Sequence, residues 1–360
     1  MSTKAYVAGD NEVQKLWSKR VQTEALLNTQ IGKFLGEDDK SLGVIETSTS
    51  KDAGDRVTTN LRMRLVGAGV TETMPLEGNE EALTTYTDQI TINELGHAVR
   101  RKKGISDQRI PWDVGQQNND ALIDWWAERL DRWAFNHLCG YTPQTDTRYT
   151  GFNATTAPTS GRGLWCSSSH TTDATLDSSD LFSLAHIDRA REIATTGSSA
   201  GLPRIRPIKA EMADGGYGDM YVCFIHPTQT TQLRASSSAW TTIQNNLLQG
   251  GYVKENPLFT GAIGVYNKTI IHESEFVTPG VSAGAAVSNT RRAVFCGAQA
   301  LTLAFGKGFS ATQAKITEQA FDYDREAGQS LVVLGGMKKS VFNSTDYGTI
   351  VLASYAADAA

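Results

Sequence analysis

The ten residues RVTTNLRMRL, at positions 56–65, alternate strictly between polar and apolar side chains. Because successive side chains of a β-strand point to opposite faces, this period of two predicts a strand with one apolar and one basic face. A second such run, 86–99, can pair with it across the glycine- and proline-containing segment 66–85. An isolated two-stranded hairpin is marginally stable in water. We therefore expect this hairpin to rest on something outside itself.

The two ends of the hairpin carry opposite charges. The segment 66–85 has no basic residue, and its acidic residues are Glu72, Glu77, Glu80 and Glu81. The basic residues around the two strands are Arg56, Arg62, Arg64, Arg100, Arg101, Lys102 and Lys103. An extended hairpin cannot fold its tip back onto its own stem. We predict that the acidic tip binds the basic stem of a neighbouring copy, which is a heterologous contact between identical subunits.

Two stretches predict long helices. Residues 113–139 follow the capping residue Asp113, place apolar side chains on one broad face and end at Gly140. This pattern predicts a helix about 40 Å long. Residues 11–35 show the spacing of an amphipathic helix that includes Trp17 and Phe34. We predict Trp17 and Phe34 as contacts between subunits, and docking of this helix on its own domain is the alternative.

The remaining sequence favours an α+β protein with many turns. A third helix is predicted at 181–196, and the Ser- and Thr-rich stretch 142–180 predicts a long surface loop. From 204 onward the pattern changes to short strands. The chain has 33 glycines among 360 residues, which is typical of a protein rich in turns and extended segments.

Composition excludes several classes of function. The formal net charge is −5, whereas a protein that grips DNA phosphates needs a basic face. The four cysteines form no C-x-x-C pair, which predicts free thiols in a reducing compartment. The first ten residues lack a signal-peptide pattern, and no apolar stretch is long enough to span a membrane. We expect synthesis in the cytoplasm and no membrane partner.

The sequence contains no complete motif for catalysis or metal binding. Gly197-Ser198-Ser199-Ala200-Gly201 has the spacing of a nucleophile elbow, but a helix is predicted before it instead of a strand. The segment 305–308 lacks the glycine spacing of a phosphate loop. Asp322, Asp324 and Glu326 resemble a calcium loop, although Ala327 stands where that loop needs glycine. We predict no catalytic residue, no metal and no cofactor.

Four segments, the last of them the two runs at the C-terminal end, resemble a known family in sequence and in order. They are LEGNEEAL at 76–83, QR at 108–109 leading into LIDW at 122–125 and RLD at 129–131, FIHP at 224–227, GMKK at 336–339 and NSTDYG at 343–348. Together with the order of parts, they resemble the tailed-bacteriophage major capsid proteins of the Hong Kong 97 fold, in the branch typified by coliphage N-four. Each segment is weak alone, and their order makes the resemblance fairly specific.

The resemblance implies an α+β capsid fold with an N-terminal arm, an extended β-hairpin loop, a peripheral domain with a long spine helix and an axial domain with a mixed sheet. The implied ranges are 1–50 for the arm, 51–103 for the extended loop, 104–214 for the peripheral domain with its spine helix at 113–139, 215–325 for the axial domain, and 326–360 for C-terminal strands that return to the peripheral domain. It also implies self-assembly into hexamers and pentamers of an icosahedral head around double-stranded DNA.

Further expectations follow from this resemblance. Some capsids of this fold cross-link through a lysine on the extended loop, but no lysine lies between Asp52 and Arg101, so we predict no such bond. Scaffolding, portal and cement or decoration proteins are implied as partners, and packaged DNA as a non-specific one. The virion capsid is the implied location, with the host cytoplasm during assembly. The alternatives are an encapsulin-type compartment, a hydrolase that uses Ser199, and a tail or baseplate protein.

Overall fold

The computed structural model describes residues 29–47, 56–63, 65, 67–104, 109, 114–166, 170–197, 202–211, 217–236, 240, 262–306, 309 and 315–357. Trp17, Arg64 and Asp113 lie outside the described residues, and so does the part 11–28 of the predicted first helix.

Within these residues the chain forms three α-helices and eighteen strands. The helices are α1 Val114–Leu138, α2 Leu184–Thr196 and α3 Pro227–Ser236. The strands are β1 Leu35–Gly36, β2 Gly43–Thr47, β3 Arg56–Arg62, β4 Thr85–Thr91, β5 Asn93–Lys102, β6 Gly163–Trp165, β7 Ile208–Glu211, β8 Tyr217–Ile225, β9 Ala262–Tyr266, β10 Thr269–Glu273, β11 Pro279–Ser282, β12 Ala285–Cys296, β13 Leu301–Phe305, β14 Lys315–Phe321, β15 Glu326–Lys339, β16 Val341–Phe342, β17 Thr345–Asp346 and β18 Thr349–Tyr355. The helices predicted at 113–139 and 181–196 are confirmed to within three residues.

Strand β15 is the centre of a six-stranded sheet. It pairs antiparallel with β5 along one edge, from Glu326 opposite Lys102 to Gly335 opposite Asn93. Along its other edge it pairs with β14 and then β13, and β2 and β1 continue the sheet beyond β13. Helix α1 packs on this sheet. Its Trp126 and Trp133, each 1% exposed, share a hydrophobic core with Leu331 and Met337 of β15.

An eight-stranded sheet has the order β6-β18-β12-β8-β10-β9, with β7 paired to β8 and β11 to β12. In β8, Val222 and Phe224 join the core that contains α1, whereas Tyr221, Cys223 and Ile225 join a second core with α2 and α3. Alternation along a strand thus buries the unbroken apolar run 221–225 on both faces, as sheets covered on two sides require.

The two sheets divide the chain differently from the predicted ranges. Strands β13 and β14, within the predicted axial range, lie in the six-stranded sheet. Strand β6, from the predicted peripheral range, lies in the eight-stranded sheet, and so does β18. The range 326–360 therefore supplies strands to both sheets, whereas the prediction had placed it with one domain. The physical reason is that strand pairing joins segments distant in sequence, which a linear reading of ranges does not capture.

The described end of the predicted first helix is not α-helical. Residues Gly32–Phe34 form a single 3₁₀ turn, and β1 follows directly. Phe34 is 5% exposed and packs edge-on against Phe224 and His272 of its own subunit. The prediction of Phe34 as a contact between subunits is therefore corrected, because burial in its own core leaves almost no surface for a neighbour.

Candidate interaction surface on the projecting hairpin

Strands β3 and β4 form the predicted hairpin, with Arg56 opposite Thr91 and Arg62 opposite Thr85. Exposure alternates along β3, with Val57, Thr59 and Leu61 on the half-buried face. At the hairpin base, Val57 packs against the small cluster of Ile90, Ile92 and Ala304. The base therefore rests on the six-stranded sheet, as expected for a hairpin too small to be stable alone.

Asn153 clamps the base of the hairpin. Its Oδ1 accepts a hydrogen bond from the Thr91 N–H (2.9 Å), and its Nδ2 donates to the Thr91 carbonyl (3.0 Å). The same Nδ2 also donates to the carbonyls of Gly151 and Met337, at 2.8 and 3.1 Å. The side chain thus imitates one rung of a β-ladder between β4 and β15.

Two further contacts hold the same base in place. The Lys338 ammonium pairs with the Asp88 carboxylate, which also accepts the Val341 N–H at 3.3 Å. A Cβ added at Gly336 would lie 2.1 Å from the Thr91 carbonyl oxygen, so only glycine permits this close approach of β15 to β4. The base is fixed on several sides, and the tip is therefore presented in a defined direction.

Two of the predicted acidic residues shape the tip itself. Glu81 Oε2 accepts the N–H of Gly67 at 2.6 Å, and Glu80 Oε2 accepts the N–H of Gly78 at 2.7 Å. Glu72 and Glu77 are exposed and, within the described part of the chain, have no hydrogen bond or ion pair. Only Glu72 and Glu77 are thus unengaged acids at the tip.

The tip also exposes an apolar surface, which we call the tip patch. Its residues are Leu65 (55% exposed), Met74 (57%), Leu76 (74%) and Leu83 (56%). Four large apolar side chains left exposed on one projecting segment are typical of an interaction site. The sequence reasoning missed this patch because it followed only charge. The sequence does contain a pattern that indicates this patch. Four large apolar residues lie in or beside a segment that is too rich in glycine and proline to build its own core.

The basic run Arg100 to Lys103 does not belong to the hairpin stem. It lies at the far end of β5, about 30 Å along that strand from the hairpin base. There Arg100 pairs with Glu326 (2.6 Å) and Lys103 pairs with Asp324 (2.6 Å). The prediction that these four residues form the stem is corrected. Strand β5 pairs with β15 instead of β3, and acids around the β14–β15 turn neutralise two of the four charges.

Of the predicted stem residues, Arg56 and Arg62 do lie on the hairpin, on the exposed face of β3. Arg101 is half-buried and Lys102 is exposed on β5. The structure therefore separates the predicted basic stem into two patches.

The described residues offer little for chemistry. No group of three or more His, Cys, Asp or Glu side chains among them could hold a metal ion. Burial raises the pKa of the thiols of Cys166 and Cys223 to about 12, which disfavours the nucleophilic thiolate. Helix α2 precedes Gly197, where a nucleophile elbow would need a strand. None of the helices in the described ranges is both long and apolar enough to cross a bilayer.

A two-sheet body, a long packed helix and a projecting hairpin with exposed apolar side chains are what a subunit of a self-assembling shell is expected to have. The chain belongs to the phage capsid protein family, whose model matches residues 6–358. The predicted Hong Kong 97-type fold and the predicted function, a major capsid protein of a phage head, are confirmed.

Individual relatives support this assignment. The chain is 29% identical over 374 residues to the major capsid protein of Pseudomonas phage KPP25, with 94% of each chain covered. It is similar to the capsid of Ralstonia phage GP4, with a TM-score of 0.80, 28% identity and 100% of both chains covered. The Cyanophage Pam1 capsid shares the fold, with a TM-score of 0.69, 19% identity and 99% and 97% of the two chains covered.

Proposed function

We propose that the chain builds the hexamers and pentamers of an icosahedral head around double-stranded DNA, and that the hairpin tip binds a neighbouring subunit. The tip patch carries this proposal. It holds four large side chains, each more than half exposed, at the end of a hairpin whose base is fixed. Full burial of one such side chain contributes about 1.5–3 kcal/mol, so covering the patch would stabilise a capsomer substantially.

Charge gives this contact its direction. Glu72 and Glu77 are the acids left available at the tip, and Arg56 and Arg62 are the exposed basic residues of the hairpin stem. Lys102 is the exposed basic residue of the second basic region, on β5. Opposite charges on two different surfaces of one subunit fit a heterologous contact, which closes into rings. Exposed ion pairs contribute little energy. We therefore propose that the charges determine how the two subunits are aligned, and that burial of the tip patch supplies most of the binding energy.

The remaining roles follow from this assignment. A chain of net charge −5 suits a wall that encloses DNA without gripping it, so packaged DNA is a non-specific partner. With no lysine between Asp52 and Arg101, the hairpin cannot supply the lysine of a covalent cross-link to a neighbour. Stability then comes from non-covalent contacts or a cement protein, and scaffolding and portal proteins act during assembly in the host cytoplasm. The chain acts as structure and has no enzymatic activity.

The test is the double variant Leu76→Ser with Leu83→Ser, examined by negative-stain electron microscopy and sizing chromatography. We expect a folded subunit that forms no shells, because the tip no longer gains from being covered. The charge variant Glu72→Lys with Glu77→Lys should form fewer shells, and the defect should weaken at high salt. Glu80 and Glu81 are unsuitable for this test because they hold the tip together.

Leu181→Ser is the matched control, because Leu181 is an exposed leucine (37%) outside the hairpin. It should assemble like the unaltered chain. Normal shells from the Leu76 and Leu83 double variant would refute the role of the tip patch. Tubes or open rings from the unaltered chain would instead favour a tail protein.

A further inference from the structure

A cleft of about 890 Å³ lies along the exposed side of α1. Its floor is one face of that helix, which includes Asp124, Ala127 and Asp131. One wall is the chain that follows α1, up to Tyr149, and the other is the segment 275–279 between β10 and β11. The cleft plays no part in the hairpin contact.

The N-terminal chain is anchored in this cleft. The N–H groups of Gln30 and Ile31 donate to the two carboxylate oxygens of Asp131, at 3.0 and 3.1 Å. Ile31 is fully buried, and Gln30 lines the cleft. Residues 1–28, which precede the described chain, therefore start at the cleft.

The chain is long enough to enter the cleft of its own subunit. Along α1, the cleft floor from Asp131 to Asp124 measures about 10 Å. Residues 22–28, if extended, reach about 23 Å. The segment 15–21 can therefore lie over this floor without leaving the subunit.

Cleft and segment are complementary in chemistry. Of the carboxylates that line the cleft, Asp124 and Glu275 are exposed, whereas both oxygens of the buried Asp131 already accept backbone N–H groups. Arg132 is already paired with Glu128 at 2.7 Å. The segment 15–21 reads KLWSKRV and has three basic residues, two aliphatic residues and a tryptophan. Phe276, which is only partly buried, gives the cleft an apolar surface that a tryptophan can contact.

We propose that residues 15–21 bind in this cleft of the same subunit, with Trp17 on the apolar surface and the basic side chains toward Glu275 and Asp124. Trp17 was predicted from the sequence as a contact between subunits. This proposal places it on its own subunit instead, against the cleft along α1. Shell formation is scored separately by microscopy, so a failure of this proposal is distinct from a failure of the capsomer contact.

Limited digestion with trypsin, followed by mass spectrometry, tests the docking. Docking should protect the cleavage sites at Lys15, Lys19 and Arg20 in the full-length subunit. Glu275→Lys should speed their cleavage about fivefold, because it reverses one charge of the cleft. Glu273→Lys is the matched control. Glu273 is an exposed glutamate two residues away that does not line the cleft, and its variant should be cleaved at the unaltered rate. Equal rates in all three proteins would overturn the proposal.

A disulfide test identifies which subunit's cleft is occupied. Ser18→Cys lies within the segment and Gln144→Cys on the cleft wall, and together they should oxidise to a link inside one chain. Ser18→Cys with Thr195→Cys, a position exposed on α2, is the control and should not link. Links between chains, visible as dimers on a non-reducing gel, would overturn the placement in the same subunit. Absence of any preferred link would overturn docking itself.

Discussion

Arg292 forms a buried ion pair whose removal should cost this subunit far more than the loss of a surface pair. It is buried on β12, and its Nε donates to the Asp173 carboxylate at 2.7 Å. Its Nη1 donates to the carbonyls of Cys139 and Gly140, just after the end of α1, and its Nη2 donates to the Val281 carbonyl. One guanidinium therefore joins α1, β11 and β12.

We predict that Arg292→Met destabilises the subunit by about 3–5 kcal/mol, the usual cost of removing one partner from a buried ion pair. Asp173 is 2% exposed, so its carboxylate would stay buried without a positive charge beside it. Its remaining hydrogen-bond donors would be the Trp165 indole N–H at 2.8 Å and the Val281 backbone N–H at 2.7 Å. The Cys139 carbonyl would lose its partner as well, whereas the Gly140 carbonyl would keep the Thr142 N–H at 3.1 Å.

The assay is urea unfolding of the subunit, followed by circular dichroism. Arg100→Met is the matched control, because Arg100 pairs with Glu326 at the surface and its loss should cost about 1 kcal/mol or less. The double variant Arg292→Met with Asp173→Asn should recover part of the loss, since it leaves no unpaired buried charge. An Arg292→Met loss no larger than that of Arg100→Met would refute the reasoning.

Two further predictions concern the hairpin base and the cleft. Asn153→Ala should destabilise the subunit by about 2–3 kcal/mol, because the carbonyls of Thr91 and Met337 and the N–H of Thr91 lose their side-chain partner. Hydrogen exchange of the backbone amides should then accelerate across β4. Unchanged exchange in β4 would contradict the clamp. Burial raises the pKa of Asp131 to about 6 from its ordinary 3.8, so the folded state binds more protons between these values. Stability should therefore fall by about 3 kcal/mol as pH rises from about 3 to 7, relative to Asp131→Asn measured by urea unfolding. If the difference in unfolding free energy between the two proteins did not change with pH, the predicted loss of stability at higher pH would be wrong.

Local patterns in the sequence predicted the parts that depend on local physics. The alternation at 56–65 predicts β3, and the apolar face at 113–139 predicts α1, because each periodicity is a direct consequence of backbone geometry. The hairpin pairing also followed from the chain, since its two strands are joined by a polar, glycine-containing tip.

Features that depend on distant contacts were not predictable in this way. Phe34 fits an amphipathic helix by spacing, but Asp131, a hundred residues away, binds the preceding N–H groups and redirects the chain. The run at 100–103 reads as free positive charge until Asp324 and Glu326 are placed beside it. The tip patch could not be predicted for a related reason. Apolar residues in a sequence are expected to be buried, and only the structure shows that nothing in the subunit covers these four.

The position of β18 has a consequence for how the protein is made. β18 is the last strand of the chain and lies between β6 and β12 inside the eight-stranded sheet, not at its edge. During synthesis, β12 therefore presents an unpaired edge until residue 355 has left the ribosome. A chain cut short by even its last dozen residues lacks that inner strand. The eight-stranded sheet can therefore close only after β18 has been synthesised and has paired with both β6 and β12.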